Sequence, residues 1–380
     1  MEIKKENMEW LAEAMHYVKS KVNENLPKYS TVFPTSSSEN LIYGEMGNKD
    51  WTEGFWTGIL WLLYEDTNEE KYLSALETLL RTFQERLDQN IGLNTHDIGF
   101  LYSLSTLAGY KITGNEKALE LSVRAADRLM ERYSAKAQII QAWGNLEDPK
   151  EKGRMIIDCL MNLSLLYNIS EITGEKKYKE AAEHHAKQAQ KYLVREDYST
   201  YHTYYMNVDT GEPIKGVTAQ GYSDNSAWAR GQAWGVYGFA LSYAHTGDKT
   251  FFGKTASRIA DYYLERLPED FVPYWDLYFQ EGDEYRDSSS AGILACGLLE
   301  LSKHLPVLDP RKKEYEETAV QIVKSLFENY TTEKDLSNGI IKHGVYAIPF
   351  HVGVDECCIW GDYFYVEALM RLRNVWNMYW

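Results

Sequence analysis

Glu171-Ile172-Thr173-Gly174-Glu175-Lys176-Lys177-Tyr178 recurs, in altered form, along the chain. Glu65-Asp66-Thr67-Asn68-Glu69-Glu70-Lys71-Tyr72, Lys111-Ile112-Thr113-Gly114-Asn115-Glu116-Lys117-Ala118 and Ala244-His245-Thr246-Gly247-Asp248-Lys249-Thr250-Phe251 keep its shape. Leu308-Asp309-Pro310-Arg311-Lys312-Lys313-Glu314-Tyr315 is a degenerate fifth copy. Each follows an apolar run and precedes an amphipathic one. Gly or Asn supplies a left-handed C-cap, and the acidic residues after it suit the positive N-terminus of a second helix. Each copy therefore reads as the tight turn of a helical hairpin.

Outward from these turns, two kinds of helix alternate. Those before a turn are rich in Gly, Ala, Ser and aromatics, at about 52–65, 97–112, 155–172, 226–245, 287–304 and 361–376. Those after it are charged on one face, at about 69–87, 115–133, 176–193, 249–266 and 311–329, with 5–24 as a sixth. Helices apolar all round are buried and amphipathic ones form an outer layer. Six of each, alternating, predict an all-α (α/α)6 barrel, with residues 1–380 as a single catalytic domain. An open solenoid is less apt, because its repeats are shorter and more uniform. The long connections 134–153, 195–225, 268–286 and 331–360 all lead into inner helices, so they gather at one end, where a site is expected.

Composition narrows the function. The 56 Asp and Glu outnumber the 40 Lys and Arg, for a formal charge of −16, which argues against nucleic acid. A small anion can still be held locally, and a short fragment is favoured over a long polyanion. The 11 Trp and 29 Tyr are mainly core packing, yet some suit a sugar-binding cleft. No apolar leader and no run of 18 apolar residues is evident, so no membrane partner is expected. Cys159, Cys296, Cys357 and Cys358 lack zinc-ligand spacing and read as reduced thiols of a cytoplasmic protein.

Three clusters carry chemistry. Asp158 stands inside the apolar run Met155–Met161, where a carboxylate is costly unless paired or protonated. Desolvation is expected to raise its pKa, as suits a general acid; a helix cap is the plain structural alternative. Asp97, after His96, opens the preceding inner helix, so both carboxylates should face one cleft. Arg230 and Trp234 share a helix face in Ser226-Ala227-Trp228-Ala229-Arg230-Gly231-Gln232-Ala233-Trp234. An Arg among Ala, Gly and Trp needs a carboxylate, from the protein or from a ligand. His184 and His185 lie on an outer helix and read as solvated. No HExxH, EF-hand, P-loop or GxSxG motif occurs, which leaves no reason to invoke a metal or nucleotide.

The segments His96-Asp97-Ile98-Gly99-Phe100, Arg154–Asp158, 224–235 and Trp360-Gly361-Asp362-Tyr363-Phe364 resemble, in order and spacing, the unsaturated glucuronyl hydrolases of glycoside hydrolase family 88. The resemblance spans nearly the whole chain. It implies an (α/α)6 barrel without metal or cofactor, acting on di- to tetrasaccharides left by polysaccharide lyases. In that chemistry an Asp protonates C4 of the vinyl ether, water adds at C5, and the hemiketal rearranges to expel the aglycone. Asp158 matches the general acid and base, and Asp97 the second essential Asp. Trp51, His96, Trp143, His202, Gln220, Arg230 and Trp234 match substrate-contacting positions, and Tyr346 is placed with them by its connection. Relatives that prefer sulfated fragments are expected to carry Ser and Lys before the last inner helix. Here Ile348-Pro349-Phe350-His351-Val352-Gly353-Val354-Asp355 has neither, which implies unsulfated substrates. The competing readings are an unsaturated rhamnogalacturonyl hydrolase, an inverting glycosidase on saturated sugars, and a non-catalytic carbohydrate-binding helical protein. Monomer and dimer are equally open.

Overall fold

The hairpin turns form as the repeat requires. In a computed structural model describing residues 5–380, Asn68, Gly114, Gly174 and Gly247 each adopt the left-handed conformation, with φ of 56°, 69°, 79° and 70°. The threonine before each cap adds a second lock. Thr173 Oγ1 donates to Ile169 O at 2.6 Å and accepts from the Glu175 N–H at 3.3 Å, and Thr67, Thr113 and Thr246 repeat the arrangement.

The helices run α1 (Lys5–Asn25), α2 (Glu53–Thr67), α3 (Glu70–Gln89), α4 (Ile98–Tyr102), α5 (Ala108–Thr113), α6 (Glu116–Met130), α7 (Cys159–Thr173), α8 (Lys176–Tyr192), α9 (Ala229–Thr246), α10 (Lys254–Leu264), α11 (Ser288–His304), α12 (Pro310–Tyr330) and α13 (Ile359–Arg373). A π turn, Ser103–Leu107, joins α4 and α5 into one inner helix. Side chains of α2 satisfy carbonyls in it, Trp61 Nε1 reaching Ser105 O at 3.0 Å and Thr57 Oγ1 reaching Leu104 O at 3.1 Å. A second π turn, Lys249–Gly253, opens α10.

Helix α2 contacts α4, α4 contacts α7, and the series continues through α9, α11 and α13 back to α2. The inner ring is closed, as the alternation predicts. Helices α1, α3, α6, α8, α10 and α12 surround it, and Trp10 of α1 stacks on Phe327 of α12 at 6.3 Å across the outer seam. The fold is an (α/α)6 barrel. One continuous apolar cluster fills it from Trp10 to Trp380. No described helix is long and apolar enough to cross a membrane.

All six inner helices point their N-termini to one mouth. The long connections there carry short antiparallel strands: β1 (Phe33–Pro34) with β2 (Glu45–Met46), β3 (Tyr133–Ser134) with β4 (Ile139–Ile140), β5 (Arg154–Ile156) with β6 (Thr203–Met206) and β7 (Pro213–Val217), and β8 (Gly344–Ala347) with β9 (Val352–Glu356). The inner helix expected from 155 starts at Cys159, because 154–156 pair as a strand with 203–205. His185, expected in solvent, is fully buried: Ile140 of β4 crosses its helix and donates its N–H to the imidazole Nδ1 at 2.9 Å. Periodicity showed the charged face of α8 but not the loop that covers part of it. All four cysteines are free and buried.

Candidate active site

Asp97 and Asp158 occupy the N-cap positions of α4 and α7, and neither carboxylate makes a capping hydrogen bond. Asp287 at the head of α11 does cap, accepting from the N–H groups of Ser289 and Ser290. The first two carboxylates turn into the mouth instead, and His96 stands between them. Its Nε2 lies 3.4 Å from Asp97 Oδ1 and 3.3 Å from Asp158 Oδ1. One donor atom from each of the three residues falls within 4.8 Å of the others. Asp97 is steadied by the Thr95 hydroxyl, which donates to Oδ2 at 2.6 Å. Asp158 Oδ1 and both His96 ring nitrogens have no hydrogen-bond partner within the protein.

Electrostatics divides the pair differently from the sequence expectation. Burial pushes the Asp97 carboxyl up, offset by His96 and reinforced by Asp158. At Asp158 burial pushes the same way, but the charge and hydrogen bonding of His96, with Arg230 behind it, outweigh it and hold the carboxyl below the usual range. The expected rise at Asp158 is thus corrected: it falls on Asp97, because the apolar run shows burial and not the cations facing it. Burial works against the His96 imidazolium, yet Asp97 and Asp158 outweigh it and raise its pKa well above the ordinary value.

The remaining expected residues form two groups. His202, buried, bonds through Nδ1 with Thr203 Oγ1 at 2.7 Å and through Nε2 with Gln220 Oε1 at 3.0 Å. Burial lowers its pKa to about 4, so it is neutral near pH 7. Gln220 Nε2 donates to Tyr346 O at 3.4 Å, and Trp51 Nε1 donates to the Tyr346 hydroxyl at 2.7 Å. The Trp143 ring lies 6.4 Å from that of His96 and 6.3 Å from that of His202. Trp51, Trp143, His202, Gln220 and Tyr346 therefore frame the carboxylates. Arg230 and Trp234 sit beneath them. The Arg230 guanidinium is buried between Trp228 and Trp360, donates to the carbonyls of Val345 and Tyr346, and lies 3.4 Å from Asp287 Oδ2. Of the two partners the sequence left open, the protein one is filled. Trp234 is buried against Phe100 and Phe364, each at 5.3 Å.

The Glycosyl Hydrolase Family 88 profile matches residues 28–367. An unsaturated glucuronyl hydrolase of Bacillus sp. (strain GL1) is 45% identical over 94% of this chain and 95% of its own. An unsaturated chondroitin disaccharide hydrolase of Streptococcus pneumoniae is 43% identical over 98% and 94%. The crystal structure of unsaturated glucuronyl hydrolase from Streptococcus agalactiae superposes with a TM-score of 0.95 at 42% identity, covering 100% of this chain and 94% of that one. The chain belongs to glycosyl hydrolase family 88. It is a glycosidase by that membership.

Within this family 88 fold, further residues complete the mouth. Asp50 accepts the Ser36 hydroxyl at 2.6 Å and the Trp51 N–H at 2.9 Å, fixing the approach to Trp51, and its charge reaches Asp97. Arg154 lies over the Trp143 ring at 5.0 Å and donates to the Tyr205 hydroxyl at 2.7 Å. Trp228 packs 4.9 Å from His202. Asp50 and Arg154 stand in loop or strand, where no helical period marks them, so only the paired Asp-Trp and Arg-x-x-x-Asp spacings could have signalled them. His96, Asp97 and Asp158 could supply three donor atoms to a cation. The raised imidazole of His96 already brings positive charge to both carboxylates from 3.3–3.4 Å, so the donor set does not call for a metal.

Proposed function

We propose that this family 88 protein removes a 4,5-unsaturated glucuronate from the non-reducing end of short lyase-made oligosaccharides, by hydration of the vinyl ether. The carrying observation is the meeting of two non-capping carboxylates on one histidine, at the heads of consecutive inner helices. The names of the relatives supply the substrate class.

Asp158 gives a proton to C4, and positive charge develops at C5 and the ring oxygen. The charge is stabilised by the carboxylates in a site shielded from water. Water adds at C5 as Asp158 takes its proton. The hemiketal then opens and the aglycone departs with its own oxygen. In the free protein Asp158 is held ionised, so substrate must help to protonate it. A bound uronate adds negative charge and displaces water, and both raise the proton affinity of Asp158. The His96 imidazolium, 3.3 Å away, is the adjacent proton source, and Asp97 keeps that imidazole charged.

Direct inversion at C1 of a saturated sugar needs carboxyl groups roughly 6.5–9.5 Å apart to admit a water. Asp97 and Asp158 bring oxygens within 4.8 Å and share a histidine, which disfavours that chemistry. The β8–β9 tip, Ile348–Phe350, offers no cation to a sulfate, and supports a preference for unsulfated fragments. The test is the loss of ultraviolet absorbance of the double bond with unsaturated disaccharides from chondroitin, hyaluronan, heparin, gellan and xanthan. Loss on the unsulfated ones, with no release from a saturated aryl glucuronide, is expected. Release from the aryl glucuronide alone would overturn the reading.

A further inference from the structure

Two loops meet beside the mouth, 218–225 after β7 and 274–286 before α11, and they present bare aromatic rings. Tyr222 and Tyr278 are 54% and 65% exposed, yet their rings stack at 5.1 Å and 21°. Phe279 closes on both, at 5.0 and 5.3 Å, and buried Trp275 backs the group at 6.3 Å from Tyr222 and 5.9 Å from Phe279. Large apolar rings gathered on a charged surface mark a contact site more often than an accident.

The platform is braced from below. Asp276 is fully buried, and Arg195 acts on it only from beyond ion-pair distance. Its Oδ2 accepts from the Tyr222 N–H at 2.9 Å and the Ser226 hydroxyl at 2.7 Å, and its Oδ1 accepts from the Tyr278 N–H at 3.0 Å. One carboxylate thus fixes the backbone of both exposed tyrosines. Gly221 lets the loop close on it: an added Cβ would fall 2.7 Å from Thr218 Oγ1 and 3.1 Å from Asp276 Oδ2. Desolvating a carboxylate is costly. Here the result is a fixed backbone beneath two stacked rings, set before any ligand arrives.

The platform is continuous with the active site. Gln220, which bonds to His202, is two residues before Tyr222, so their Cα atoms lie at most about 7 Å apart. Trp228 pairs with Asp276 in a β-bridge and packs 4.9 Å from His202. The surroundings are acidic: Glu281, Asp283 and Glu284 are all exposed. Flat rings suit the apolar face of a pyranose, while that acidic rim repels a second uronate or a sulfate.

We propose that Tyr222 and Tyr278 form an outer subsite that takes an uncharged pyranose of the leaving oligosaccharide, beyond the sugar joined to the unsaturated uronate. The proposal rests on the hydrolase reading above, and adds to it a preference for longer substrates whose outer sugars are neutral. The test compares kcat/KM on three substrates: the tetrasaccharide dGlcA-Glc-Rha-Glc, its disaccharide dGlcA-Glc, and a hyaluronan-derived unsaturated tetrasaccharide whose third sugar is glucuronate. The unaltered chain is expected to favour the neutral tetrasaccharide over its disaccharide through KM. In Tyr222→Ala/Tyr278→Ala that ratio falls about tenfold, while the ratio for the hyaluronan tetrasaccharide over the same disaccharide stays put. A retained preference, or an equal fall on all three substrates, would overturn the subsite. Equilibrium titration of the neutral tetrasaccharide into Asp158→Asn, with and without the tyrosine changes, reads the platform independently of turnover. Binding about tenfold weaker without the tyrosines supports it, and equal binding, or none in either, overturns it. Absence of turnover by the unaltered chain on all three would sink the hydrolase reading separately.

Discussion

The barrel buries carboxylates near both of its ends and treats them in opposite ways. Towards the C-terminal ends of α11 and α13, Glu300 and Glu367 face Arg371 at 2.7 and 2.9 Å. The Tyr237 hydroxyl joins Glu367, the Trp380 indole donates to it at 2.8 Å, and His304 and Lys303 complete Glu300. At the mouth, His96 Nε2 meets Asp97 and Asp158 only at 3.3–3.4 Å, without a well-formed hydrogen bond, and His96 Nδ1 has none. Buried charge that is fully paired holds a fold in register; buried charge left partly open is held for a ligand. Burial alone does not distinguish the two. The same contrast separates three aspartates heading inner helices, since Asp287 caps its helix whereas Asp97 and Asp158 do not.

Substitutions at the two ends should therefore separate activity from stability. Asp158→Asn is expected to lower turnover by about 10²–10⁴-fold, as loss of a general acid does. Its thermal midpoint should fall only modestly, because His96 and Arg230 hold the ionised carboxylate in the fold and Asn keeps its shape. A fall in the midpoint alone, with turnover kept, would place Asp158 in the scaffold. At the other end Arg371→Met leaves buried Glu367 without a cation and Glu300 with only Lys303 and His304, at a cost of about 3–5 kcal/mol. Urea unfolding reads that loss, and turnover per folded molecule should persist. His96→Gln tests the link between the mouth carboxylates. The imidazole pKa is raised, so its proton is present through neutral pH and is lost as pH rises beyond the ordinary imidazole value of about 6.5. The alkaline limb of kcat/KM should follow that loss. In the variant it should move to lower pH, with a fall of about 10²-fold near neutrality. An unmoved limb would remove His96 from the proton path. The smallest effect is expected at a far-end turn. Gly174 has φ of 79° and open space around an added Cβ, so Gly174→Ala pays only for the left-handed backbone, about 1 kcal/mol. Its kcat/KM should not change.

The far end was the more legible of the two in the sequence. Its turns depend on local rules, a left-handed cap followed by an acidic helix start, and these leave residue-by-residue marks. The twelve-part alternation followed from them, and the ring closure of α13 on α2 followed from the count. At the mouth, Asp158 was visible because a carboxylate in an apolar run is anomalous, and Asp97 because it opens the preceding inner helix. Their division of labour was not, since it depends on His96 and Arg230 arriving from separate elements. Arg230 was legible as a paired cation, but its partners, Asp287 and the 345–346 carbonyls, lie 57 to 116 residues away. His185 was misread for the same reason, because Ile140 covers it from another connection. Burial of a single face shows in periodicity; what a loop lays over that face does not.

Protonation of C4 by the mouth carboxylates is the step on which this reading depends. Single-turnover reaction in D2O, followed by NMR of the released uronate, observes it directly. The expected result is one deuterium at C4, appearing as fast as the vinyl signal disappears and absent with Asp158→Asn. Release of the aglycone with the C4–C5 double bond intact and no deuterium at C4 would contradict it and place the attack at C1.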